Sequence, residues 1–131
     1  MASPNIVNVT SIIGTTTYLT PSVTTAVVLL PNAAASGTVM KINQIVVSNV
    51  NASTANTTVA IYSNGAVAQG SAPSGGTAYP VVSTIAVPVG ASLIVVDKTT
   101  AIYLMEGTSI SITSGTAGAL TYTISYELIA S

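Results

Sequence analysis

Along most of the chain hydrophobic and polar residues alternate with a period of two, which sends successive side chains to opposite faces of a sheet. The clearest run is Leu120-Thr121-Tyr122-Thr123-Ile124-Ser125-Tyr126-Glu127-Leu128, where the even positions are apolar or aromatic and the odd ones polar. Ile110 and Ile112 alternate with Ser109, Ser111 and Thr113, and Val59 and Ile61 alternate with Thr58 and Ala60. Each of these strands is expected to bury one face and wet the other. Ile85, Val87 and Val89 repeat at the same spacing, and Pro88, which cannot donate to a ladder, places a strand end or a sheet edge nearby. Between Lys41 and Val50 the residues Ile45, Val46 and Val47 run together. That pattern predicts a strand covered on both sides, or one carrying a bulge.

Turn-forming residues punctuate the chain at short intervals: Pro31-Asn32, Ser36-Gly37, Asn49 to Asn51, Asn64-Gly65, Ser74 to Gly76, Gly90, Glu106-Gly107 and Gly115 to Gly118. With no long segment of helical period, this predicts an all-β fold with very little helix, an antiparallel β-sandwich of jelly-roll-like type. A chain of 131 residues suits a single domain over 1–131,. Its first part, 1–24, is expected as an extended N-terminal strand or as an arm laid on another subunit. Ile6, Val7, Val9, Ile12 and Ile13 form the apolar string there, and they are the candidate interface residues, with a strand inside the fold the simpler expectation. Ala66 to Ala78, AVAQGSAPSGGTA, is too small and flexible in composition to form a core layer. It reads as a surface loop, a mobile connection in preference to a contact loop reaching a neighbour.

Composition narrows the function classes. Charged residues make up 4% of the chain, against roughly 25% in ordinary soluble domains, so the surface must be polar yet nearly uncharged. A net charge of −1 leaves little repulsion between copies and favours association. With two lysines, no arginine and no histidine, the chain cannot present the basic patch that phosphate binding by counterion release requires, and nucleic acid is not expected as a partner. Absence of cysteine removes disulfides and thiolate chemistry,. The opening MASPNIVNVTSIIG has neither a basic n-region nor a continuous apolar h-region, so a secretory signal is not expected,. The strongly apolar run Ala26 to Leu30 ends at Pro31, far short of the roughly 20 residues of a membrane helix, and no membrane partner is expected.

Candidate chemistry is sparse. The carboxylates are Asp97, Glu106 and Glu127, and no histidine is present to act as acid or base,. A glycosidase needs two carboxylates on either side of a sugar bond, roughly 5 to 9 Å apart, and Asp97 and Glu106 would meet only if the strand between them folded back. Asp97-Lys98 stands in a polar break between Leu93 to Val96 and Ile102 to Leu104, and Glu106-Gly107 stands at the next break. Turns with solvated charges are the simpler expectation. No Asp/Asn run has calcium-loop spacing, and no phosphate-binding glycine motif occurs; Gly115 and Gly118 read as part of a hairpin turn,. A serine here has no base to activate it. No catalytic residue, metal or cofactor is therefore expected. Asn8, Asn51 and Asn56 head Asn-x-Ser/Thr triplets, which arise by chance in such a composition. The tyrosines at 18, 62, 79, 103, 122 and 126 are expected mainly in the core.

The segments KINQIVVSNVN, IAVPVGASLIVVDKTTAIYLMEGTSISI and LTYTISYELI, with the amino-terminal IVNVTSIIG, resemble a group of small β-sandwich virion proteins of tailed bacteriophages, notably those infecting marine cyanobacteria. The likeness rests on a strand ending in SNV, a PxGASLIVxDK turn, an IYLxEGxSI hairpin and a last strand ending in SYE. Met105 and Thr108 stand where acidic residues are common in similar sequences, so whatever those acids do cannot be carried over. The resemblance implies a structural virion component assembled in the host cytoplasm. It would be a head decoration or cement protein, a small homo-oligomer seated on the major capsid protein. A neck, tail or fibre-associated protein is one alternative, and a module binding host-surface glycans is another.

Overall fold

A computed structural model describes residues 7–130 of the chain. Nine strands follow one another: β1 (Ser11–Leu19), β2 (Val27–Asn32), β3 (Thr38–Asn49), β4 (Ala55–Tyr62), β5 (Ala78–Val87), β6 (Ser92–Val96), β7 (Ile102–Leu104), β8 (Thr108–Ser114) and β9 (Leu120–Ala130), with one 3₁₀ turn at Lys98–Thr100. They form two antiparallel sheets. One has the order β1-β9-β3-β6, with the short β7 also pairing β3; the other has the order β2-β8-β4-β5.

The order records how the chain doubles back on itself. β1 pairs with β9, β2 with β8, β3 with β6 and β7, and β4 with β5, so the first half of the chain runs antiparallel to the second while both wrap around one core. This is the double-sheet jelly roll. It also changes two local readings. The IYLxEGxSI segment and the Gly115–Gly118 turn are not hairpins, because β7 and β9 lie in one sheet and β8 in the other. Each of those reversals carries the chain across the sandwich, and Gly107 and Gly118 take the positive φ values of 74° and 70° that such bends require,.

The inward faces meet in a core that includes Leu29, Ile42, Ile45, Val47, Val59, Leu104, Ile110, Ile112, Leu120, Tyr122 and Ile124. Period-two alternation explains most of it: along β9 Leu120, Tyr122 and Ile124 point in and Thr121, Thr123 and Ser125 point out. β3 carries a bulge between Ile42 and Gln44 against β9 and a second between Ile45 and Val46 against β6. The first shifts the inward phase by one residue, from Met40 and Ile42 before it to Ile45 and Val47 after it,. In β8 the expected wet face is absent. Ser109 and Ser111 are buried like the isoleucines between and after them: β8 is an inner strand, and the Ser109 hydroxyl donates to the Asn64 carbonyl just past β4 at 2.9 Å.

Three buried polar side chains tie the sheets together. The Tyr122 hydroxyl donates to the Thr113 carbonyl at 2.9 Å and accepts from the Thr57 hydroxyl, linking β9 to β8 and β4. The Asn32 amide donates to the carbonyls of Thr38 and Leu104 at 3.2 and 3.0 Å, linking the end of β2 to the opposite sheet. The Asn49 amide donates to the carbonyls of Val87 and Ser53, linking β3 to β5. A buried amide without partners would cost about 1–3 kcal/mol, so these bonds hold the two sheets at one spacing and one register.

Candidate functional site

The segment 97–106 holds three of the five charged side chains, Asp97, Lys98 and Glu106. Asp97 caps the 3₁₀ turn: its Oδ1 accepts the backbone N–H groups of Thr99 and Thr100, at 2.9 and 3.2 Å, and the hydroxyls of both. The Thr99 hydroxyl and N–H hold the carboxyl below its ordinary pKa, with Thr100 adding to the effect. An oxygen that accepts four donors is a structural cap of the turn. Glu106 behaves otherwise than expected of a solvated turn charge. Both its carboxylate oxygens are buried, and neither accepts a hydrogen bond, because the reversal at Gly107 is pulled against β2 by its N–H bond to the Asn32 carbonyl at 2.8 Å.

The two carboxylates are not brought together. β7 runs extended along β3 with Leu104 opposite Met40 and Ile102 opposite Ile42, so Asp97 lies near Gln44 and Glu106 lies beyond Met40, on the order of 20 Å apart at strand rise. That is outside the glycosidase range. The third carboxylate, Glu127, is the register partner of Lys41. Among the described residues no group of three metal-ligating side chains occurs, and no helix is long and apolar enough to cross a membrane.

A polar depression of about 390 Å³ lies beside Asp97, lined by Asn43, Gln44, Asp97, Lys98 and Ser125. It exists because of the bulge: Asn43 is the extra residue of β3 there, and its buried Oδ1 has no hydrogen-bond partner. Amide, carboxylate, ammonium and hydroxyl groups together can exchange hydrogen bonds with a small polar ligand. The Ser125 hydroxyl among them is hydrogen-bonded to that of Thr16 at 2.9 Å.

The apolar candidates fare differently. Ile6 lies outside the described residues. Val7 is exposed and Val9 half-buried ahead of β1. Ile12 and Ile13 stand in β1, paired with Ile129 and Leu128 of β9, yet they remain 57% and 53% exposed. β1 is thus a strand of the chain's own sheet whose beginning overhangs the sandwich, and only Thr17 and Leu19 near its end are half-buried. Outside the core, the register aligns a row across the outer face of the same sheet. Tyr18 is opposite Thr123, Thr123 opposite Val46, and Val46 opposite Ile94, with Tyr18 and Ile94 well exposed. Sequence reading missed this row because its members come from four strands, and only the register reveals them as neighbours. The tyrosines divide: Tyr62 and Tyr122 are buried, whereas Tyr18, Tyr79 and Tyr103 are exposed.

No protein-family model, no curated protein and no solved structure matches the chain.

Proposed function

We propose that the chain is a structural component of a tailed-bacteriophage virion, a head decoration or cement protein that docks on the major capsid protein. The observation that carries this reading is the outer face of the β1-β9-β3-β6 sheet. It presents Tyr18, Val46 and Ile94 among hydroxyl side chains, with Lys41 opposite Glu127 as its facing pair of charges. Such a face docks by shape and apolar burial, with little charge to desolvate. The resemblance of the strand and turn segments to small virion proteins supplies the kind of particle. Double-sheet jelly rolls serve both viral capsids and lectins, so the fold supports the class without choosing within it.

The test is a reconstruction of the particle whose genome encodes the chain. Hundreds of copies on the shell would support head decoration, and a dozen or fewer would move the protein to the neck or tail. Particles with no density for it would defeat the reading.

A second reading follows from the depression at the β3 bulge: a module for host-surface glycans, whose hydroxyls would bond Asn43, Asp97 and Lys98. It predicts saturable binding of an oligosaccharide that weakens in Lys98→Ala. Binding unaffected by that change, or no binding across a glycan array, would remove it.

A further inference from the structure

The sandwich has four edges, and three of them are guarded. β2 is sealed by backbone: its Val28 N–H donates to the Ser71 carbonyl at 2.9 Å, and the Gly70 N–H donates to the Val28 carbonyl at 2.8 Å. β5 contains Pro80 and is followed by Pro88; its register against β4 breaks twice, and Thr84 sits at a φ of 53°. The edge beyond β3 is split into two short strands, β6 and β7, by the 3₁₀ turn at Lys98–Thr100. These are the devices by which sheets avoid pairing with other chains. Among the described residues β1 has none of them. Its nine residues pair with β9 without a single register shift, and SIIGTTTYL contains no proline and no charge. Alternate N–H and C=O groups along roughly 30 Å of strand therefore face away from β9.

We infer that this edge is filled by β1 of a second copy, in antiparallel pairing about a two-fold axis through Thr15, so that one sheet runs continuously through the dimer. An extended backbone satisfies such a row along its whole length, and this strand is complementary to itself. Centred on Thr15, the pairing overlaps all nine residues and keeps outward side chains opposite outward ones, as the pleat demands. Ile12 then faces Tyr18 twice and Ile13 faces Thr17 twice, while Gly14, which has open space where a Cβ would stand, faces Thr16. Aromatic and β-branched cross-strand pairs of this kind stabilise sheets. No charge is opposed to its like, since β1 has none. The dimer is a property of the chain in solution and holds whatever particle the chain serves.

Thr15 is exposed at the overhanging part of the edge strand, so a charge there is tolerated in the monomer and meets itself across the two-fold axis. The experiment measures the mass of the full chain by light scattering for wild type, Thr15→Lys, Thr15→Glu and an equal mixture of the two variants. Circular dichroism and the unfolding midpoint of the isolated variants serve as fold controls. The wild type is expected as a dimer. Each variant alone should dimerise at least about tenfold more weakly, and the mixture should recover the dimer by placing opposite charges face to face. A monomeric or trimeric wild type, a dimer indifferent to both charges, or a mixture that stays monomeric would overturn the assignment.

Discussion

β1 and β2 are consecutive and both at a sheet edge on the same side of the sandwich, yet they live in opposite environments. β2 is buried along nearly its whole length, with Val28 and Leu29 at 0% exposure, while Ile12 and Ile13 of β1 are more than half exposed. β2 is the more apolar of the two, VVLLPN against SIIGTTTYL, yet composition is only part of the difference. The rest lies in the 63–77 connection, which lays its own backbone along β2 but meets β1 through the Gln69 side chain at the Thr17 hydroxyl. An edge strand becomes interior when a loop supplies the missing ladder, and the loop can be as small-residue-rich as AVAQGSAPSGGTA. The connection read as mobile is anchored at one point of its length: Gly70 and Ser71 are bonded to β2, and Gln69 reaches the Leu29 carbonyl.

The contrast is broken most sharply by truncation. Leu29→Ala removes a fully buried side chain from the core and should cost about 2–5 kcal/mol, whereas Ile13→Ala on β1 should cost well under that, since the residue keeps half its surface in water. Urea denaturation of both variants measures the gap; equal losses would show that β1 is as well packed as β2. A glycine pair sharpens the same point. A Cβ at Gly65 would stand 2.1 Å from the Asn32 carbonyl oxygen and 2.6 Å from that of Thr108, so Gly65→Ala must force the ends of β2 and β8 apart, at about 1–3 kcal/mol. Gly14→Ala on β1 meets nothing within 4 Å and should be neutral or stabilising by up to about 1 kcal/mol.

Where β1 stops overhanging, its Leu19 lies opposite Tyr122. Tyr122→Phe leaves the Thr57 hydroxyl and the Thr113 carbonyl without their buried partner and should cost about 1–3 kcal/mol. The wild type carries a pH signature at the same residue. Burial pushes the Tyr122 hydroxyl up to about 12, with the Thr57 bond opposing the shift. In the unfolded chain the phenol ionises near pH 10, so between about pH 10 and 12 the unfolded state holds fewer protons than the folded one and stability falls as pH rises. Tyr122→Phe should flatten that fall, measured as the thermal midpoint across the alkaline range. An unchanged slope would show that Tyr122 does not carry the alkaline sensitivity.

Much of this architecture is written in the local pattern. The inward phase of β9, the strand–turn–strand of Leu93 to Leu104 and the reversal at Glu106-Gly107 follow from alternation and turn chemistry. What alternation cannot express is which strands are neighbours. It cannot distinguish a hairpin from a crossover, and so the β7–β8 and β8–β9 turns looked local when each changes sheets. Nor can it show that Pro31 and Asn32 belong to β2: a proline at an edge costs no ladder bond inside the sheet, and Asn32 is spent on carbonyls of the other sheet. The candidate site was half legible. Ile12 and Ile13 stand out as apolar residues in a weakly alternating segment, whereas Tyr18, Val46 and Ile94 meet only through the registers of β9 and β3.

The smallest change tests the cover itself. Gln69 donates from one amide nitrogen to the Leu29 carbonyl at 3.0 Å and to the Thr17 hydroxyl at 3.1 Å, so it is the side chain that fastens the loop both to β2 and to the near end of β1. Gln69→Ala should lower stability by only about 0.5–1.5 kcal/mol, since the bonds are partly wet and water can replace them. Its local effect should be larger than its global one. With the fastening gone, the Gly70 and Ser71 contacts open more often, and amide exchange at Val28 and Gly70 should accelerate while the inner strands β3, β8 and β9 keep their protection. Uniform acceleration across all strands would mean that loop and sandwich open as one unit. In that case β2 would be interior by the same cooperativity that holds the core, and the loop would be part of the sheet rather than its cover.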